Sequence, residues 1–143
     1  MLVALAVAAA AIAGPPDLVV TAVEAALVPV QPGTKLSVPA VVRNAGERRA
    51  RASSTRFMLS EDGERSSGDI PLDAPVQIRA LRPGRRAVFV ASVRVPSFTP
   101  VGTYRVLGCA DAGRDVRERS ERNNCRASAG RVIVQRLLPP GPI

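Results

Sequence analysis

The residues able to do chemistry are concentrated between Gly102 and Cys125, GTYRVLGCADAGRDVRERSERNNC, where both cysteines meet a dense run of carboxylates and amides. Asp111, Asp115, Glu118, Glu121, Asn123 and Asn124 supply hard oxygen donors of the kind calcium takes. Their spacing is not that of an EF-hand loop, and Arg114, Arg117, Arg119 and Arg122 are interleaved with them, which weakens the local field that would draw in a cation. Asp, Asn and Gly also hydrogen-bond their own backbone in turns. Turn chemistry is therefore the first reading of this loop, with Asp111, Asp115, Glu118 and Glu121 as the calcium ligands of the alternative; no other cofactor is expected.

Catalysis has little to work with. The chain contains no histidine, which removes the usual general base and the Ser-His and Cys-His nucleophile pairs. Two cysteines without histidine cannot close a zinc site of four N or S ligands. A carboxylate pair such as Asp111 with Asp115 would need a deep apolar pocket to split its pKa values, and no sequence pattern suggests one. The expectation is a protein that is not an enzyme.

Cys109 and Cys125 are better suited to a disulfide. They enclose fifteen residues, a loop for which chain entropy makes a bridge worth about 3 kcal/mol. A redox pair or two free thiols is the competing reading, but the chain lacks a Cys-x-x-Cys. The other end of the chain supports the bridge. Residues 1–13, MLVALAVAAAAIA, are uncharged and apolar and end in Ala11-Ile12-Ala13 before Gly14, the form of a signal peptide, although a basic n-region is missing. Export would deliver the thiols to an oxidising compartment, so the expected location is secreted, periplasmic or cell-surface. Thirteen residues cut short by Pro15-Pro16 are too few for a transmembrane span.

The elements that must position these residues read as strands. After Pro16, short Val-rich segments alternate with turn signals at intervals near ten residues, and no stretch has helical periodicity. Strands are expected over 17–27, 35–44, 52–60, 86–95 and 130–135, with another from Gly102 carrying Tyr104, Val106, Gly108 and Ala110 on one face. Residues 70–79, interrupted by Pro71 and Pro75, suit a protected sheet edge. Leu36, Val38, Ala40 and Val42 should face inward, and Pro39 should sit at a bulge or with its missing N–H on an unpaired side. With aromatics at only 3%, the core must be aliphatic, anchored by Phe57, Phe89, Tyr104 and Val106. The sum is an all-β antiparallel sandwich of about seven strands over residues 14–136, preceded by the signal peptide and followed by a proline-rich tail at 137–143.

A net charge of +8 arises from nineteen arginines and one lysine against twelve acids, spread from Lys35 to Arg136 without a long basic run. Such a surface attracts anionic partners through screened Coulomb forces, or is simply a solvated face. Nucleic acid is not expected, because no recognition motif and no set of aromatics accompanies the arginines.

In order and spacing the chain resembles the CARDB domain, the cell-adhesion-related domain of bacterial and archaeal surface proteins, over nearly all of residues 16–135. The resemblance rests on Pro16-Asp17-Leu18-Val19-Val20, Val42-Arg43-Asn44-Ala45-Gly46, and Phe57-Met58-Leu59-Ser60 before a polar Asp-Gly loop. Leu81 with Gly84, Pro100-x-Gly102-Thr103-Tyr104 and the acidic run closing in Asn123-Asn124-Cys125 complete it. It implies an immunoglobulin-like seven-stranded sandwich without enzymatic activity. The function expected is an exported binding or adhesion-type module contacting an envelope protein or acidic polysaccharide. The alternatives are a passive spacer or subunit of a larger surface assembly, and a calcium-dependent version of the binding module.

Overall fold

Alternation in the longest strand sets the architecture. In the computed structural model, which describes residues 13–25, 28–73, 75–111 and 124–136, strand β3 (Lys35–Asn44) buries Leu36, Val38, Ala40 and Val42 and turns Lys35, Ser37 and Arg43 to solvent. That face pairs with the inward faces of β1 (Leu18–Val23) and β7 (Arg86–Arg94) in an antiparallel sheet of order β1-β3-β7. Pro39 lies within the β3–β7 ladder opposite Val90. Its carbonyl accepts the amide of Glu24, just beyond the end of β1. Because a strand residue presents N and C=O to the same side, its missing N–H also faces Glu24, where the β1–β3 pairing ends after Val23 and Ala40. The bulge falls instead in β1, between Val20 and Ala22.

The second sheet is built around β8 (Gly102–Cys109), which pairs antiparallel with β4 (Ser53–Ser60) on one side. On its other side β10 (Val132–Val134) lies along the first half of β8 and β9 (Cys125–Ala127) along the second. The far flank of β4 is covered by two short pieces, β5 (Ile70–Pro71) and β6 (Val76–Ile78), so the segment containing Pro71 and Pro75 does form an edge. The strand expected over 17–27 is shorter than its apolar run. Instead of merely ending it, Pro29 opens a two-residue strand, β2 (Pro29–Val30), which pairs parallel to β10. Proline is tolerated at the first residue of an edge strand, where it withholds no ladder donor.

The inner faces of the two sheets close over one apolar cluster with Phe57, Leu59, Val38, Val42, Val93, Val106, Val132 and Val134 at its centre. The protein is an all-β sandwich. Phe57 is 1% exposed and meets Phe89 edge-to-face, with centroids 6.2 Å apart and planes at 65°, a favoured aromatic geometry. Phe89 packs against this core without being enclosed by it, since its strand is a sheet edge with one flank uncovered by another strand among the described residues. A smaller cluster on the other face of β4 and β8 joins Met58, Leu107 and Cys109 to Cys125 and Ala127.

Candidate functional site

Two groups of side chains at one end of the sandwich could act. In the first, β8 and β9 bring Cys109 directly opposite Cys125, and the two form a disulfide with Cα atoms 4.0 Å apart. The backbone bond from Ala110 N to Asn124 O, one step along, makes Cys109 and Cys125 a non-hydrogen-bonded pair, the closer of the two antiparallel pairings. The bridge thus staples β9 to β8. Val106 N donates to Ser128 Oγ at 3.0 Å, and that hydroxyl donates to Gly130 O at 2.7 Å, so the chain leaving β9 is also held.

Asp111 stands one residue past this clamp, buried and in a left-handed conformation (φ 50°), a region where Asp is several-fold enriched. Of the four calcium-ligand candidates it alone can be placed; Asp115, Glu118 and Glu121 lie outside the described residues, as do Ala112 and Gly113. Among the described residues no three His, Cys, Asp or Glu side chains gather as a metal site.

Tyr104 and Val106 anchor β8 in the core, at 3% and 0% exposure. The Tyr104 hydroxyl donates to Pro100 O at 2.8 Å, four residues upstream, the arrangement called a tyrosine corner in immunoglobulin-like sandwiches. Burial, and secondarily the Glu61 carboxylate, raise the pKa of this phenol above 10.0. In the β4–β5 loop the Asp62 carboxylate, exposed, accepts from Glu64 N and Ser60 Oγ. Those bonds, the backbone one foremost, lower its pKa.

At the same end of the sandwich as the disulfide, where β3 closes and the chain leads on to the start of β4, the organising side chain is Asn44. It is fully buried, and its amide is saturated: Oδ1 accepts from Asp17 N and Gly46 N, and Nδ2 donates to Arg48 O and Leu81 O. Its backbone N–H donates to Arg85 O, and its carbonyl accepts Gly84 N. One residue therefore ties together the N-terminal segment, the turn after β3 and the turn before β7. The second turn closes from Arg85 N to Arg82 O at 3.0 Å, with Pro83 and then Gly84 (φ 78°) at its centre. Proline followed by a residue of positive φ is the pattern of a type II turn, and the second position there requires glycine.

This pinned turn carries arginines. Arg82, Arg85 and Arg86 join Arg79, at the exit of β6, and Arg43, which pairs with Arg86 across β3 and β7. Together with Thr21 of β1 they line an open cleft of about 730 Å³, within the usual range for ligand sites. The Arg79 guanidinium donates to Arg86 O at 3.3 Å. Among the described residues no carboxylate lines the cleft. Sequence reasoning treated Leu81-Arg82-Pro83-Gly84 as a turn and missed this grouping. A signal was present in Arg82, Arg85 and Arg86 flanking one Pro-Gly and in Arg43 preceding the turn-forming Asn44, but only the register places them together.

The CARDB family model matches residues 15–128, and the chain belongs to that family, a class of cell-surface-related modules. A search of curated proteins finds no match. Among solved structures, a CARDB domain from Pyrococcus furiosus crystallised in complex with di-metal ions is 21% identical, with a TM-score of 0.59 over 85% of this chain and 90% of that one. A domain of a putative cell surface protein from Methanosarcina acetivorans is also 21% identical, with a TM-score of 0.54 over 85% of this chain and 93% of that one. The fold also recurs within a β-glucosidase from Erythrobacter marinus (16% identity, TM-score 0.53), where 84% of this chain covers 16% of that enzyme. Among the described residues no helix is long and apolar enough to cross a membrane.

Proposed function

We propose that this chain is a non-catalytic, exported binding module that contacts an envelope protein or polysaccharide. The observation that carries the reading is the cleft at the Asn44 end, where five arginines from β3, the exit of β6 and the pinned turn into β7 are grouped. Rigid scaffolds commonly present binding residues on loops held in this way. Family membership and the Cys109–Cys125 bridge support export, since disulfides persist in oxidising compartments. Retention of the purified protein on envelope fractions at low and moderate salt tests the reading. At least one fraction is expected to hold the protein at low salt, and retention by none under either condition overturns it.

A spacer role is favoured by one observation, that the similar fold in the Erythrobacter enzyme is a small part of a longer chain. Retention on envelope fractions counts against it. The di-metal ions of the Pyrococcus domain raise the calcium-dependent alternative. Of the candidate ligands only Asp111 is among the described residues, where no three His, Cys, Asp or Glu side chains gather, so the proposed function is stated without a metal. Heat on calorimetric titration with millimolar calcium, together with a rise in melting temperature, would restore that alternative.

A further inference from the structure

We infer that the arginine cleft is a binding site for the carboxylate groups of an acidic polysaccharide. The inference deepens the binding-module reading and rests on it. Arg43, Arg82, Arg85 and Arg86 are exposed and share one concavity, among whose described lining residues there is no carboxylate. Like charges held this close repel, and an anion in the cleft turns that repulsion into attraction. The planar guanidinium fork matches a carboxylate in a bidentate way, and several forks grouped in one cleft suit a chain carrying repeated acids better than a single ion.

Shape and lining narrow the partner further. A concave cleft admits a polymer strand, whereas a bilayer of anionic headgroups presents a surface too flat to reach its floor. Among the described residues no aromatic side chain lines the cleft, and base stacking on aromatics is what supports single-stranded nucleic-acid binding. Thr21 contributes a hydroxyl at the rim, which donates to Val41 O at 3.5 Å and keeps its lone pairs for a sugar hydroxyl. Nothing lies within 4 Å of where a Cβ would stand on Gly84, which leaves the turn backbone open to an approaching chain. Preorganisation comes from Asn44, whose bonds to the backbone of Leu81, Gly84 and Arg85 hold the turn before any ligand arrives.

The experiment measures the affinity of the purified protein for immobilised polygalacturonate, with neutral dextran, polyphosphate and anionic phospholipid vesicles as parallel probes. Two triple variants with the same change of charge are compared: Arg82→Gln/Arg85→Gln/Arg86→Gln in the cleft, and Arg56→Gln/Arg126→Gln/Arg131→Gln on exposed positions elsewhere. Melting temperatures confirm that both variants fold. Polygalacturonate is expected to bind wild type and the distant variant alike. The cleft variant should lose about tenfold in affinity, the combined effect of three exposed ion pairs. Equal loss in the two variants would reduce the effect to net charge and overturn the inference, as would tighter binding to polyphosphate or vesicles than to polygalacturonate. If the cleft variant is retained by envelope fractions as well as wild type is, the cleft assignment falls while the binding-module reading stands. If wild type is retained by none, that reading falls as well.

Discussion

Replacing Asn44 by alanine should do more damage than any other polar truncation at the cleft end. The substitution strands two donors, the amides of Asp17 and Gly46, and two acceptors, the carbonyls of Arg48 and Leu81. Three of these four bonds lie in buried surroundings and the one to Arg48 is partly buried. A buried group left without a partner costs about 1–3 kcal/mol; taking the low end for each, because water can enter the space left behind, the loss comes to about 4 kcal/mol. That is a large share of the roughly 5–15 kcal/mol that holds a typical domain together. Urea titration followed by far-UV circular dichroism suits a chain without tryptophan, and the midpoint should fall while the m-value holds. Asn44→Asp keeps the acceptors but loses both donors and buries a charge, so it should be no milder. A loss under about 1 kcal/mol at unchanged m would refute the account of this side chain as the tie between the two turns and the N-terminal segment.

Three other outcomes follow from the geometry. Exported protein should have an intact mass two hydrogens below the fully reduced value, and Cys109→Ser should lower stability by about 3 kcal/mol; two alkylatable thiols without prior reduction would refute the bridge. Gly46→Ala places a Cβ 2.4 Å from Pro15 O and 2.5 Å from Asp17 N, both backbone atoms, so the N-terminal segment must shift, at about 1–3 kcal/mol; an unchanged urea midpoint would show that the segment yields freely. Tyr104→Phe removes the bond to Pro100 O, worth about 1 kcal/mol at neutral pH. Because the phenol's pKa is raised in the folded protein, its contribution is complete below pH 10.0 and is lost as pH climbs from the unfolded value through the folded one. The variant should therefore lose less stability than wild type above that pH, and parallel alkaline unfolding curves would contradict the assignment.

Much of the sandwich was legible because a strand half-buried in a two-layer protein writes its burial at period two. Leu36, Val38, Ala40 and Val42 alternate with Lys35, Ser37, Pro39, Val41 and Arg43, of which three are polar, and the strand that follows from them is the one observed. Turn chemistry was equally local, with Pro83 and Gly84 naming their turn from two adjacent residues. Short strands were harder. β2 and β9 are two and three residues long, too brief for any period, and they exist only because β10 and β8 offer them an edge.

What the amino-acid order determined alone is the all-β class, the absence of histidine chemistry, the family resemblance and the pairing open to two lone cysteines. The grouping of Arg43, Arg79, Arg82, Arg85 and Arg86 is a matter of tertiary structure. These residues come from β3, the exit of β6 and the turn into β7, and they share a cleft only through the β3–β7 register that sets Arg43 opposite Arg86. Asn44 shows the same division in one residue: its type announces a turn, but the four partners that saturate its amide lie between two and thirty-seven positions away in the chain. Periodicity and turn propensity are local properties of a chain, whereas register and long-range hydrogen bonding arise only when the two sheets close on their common core.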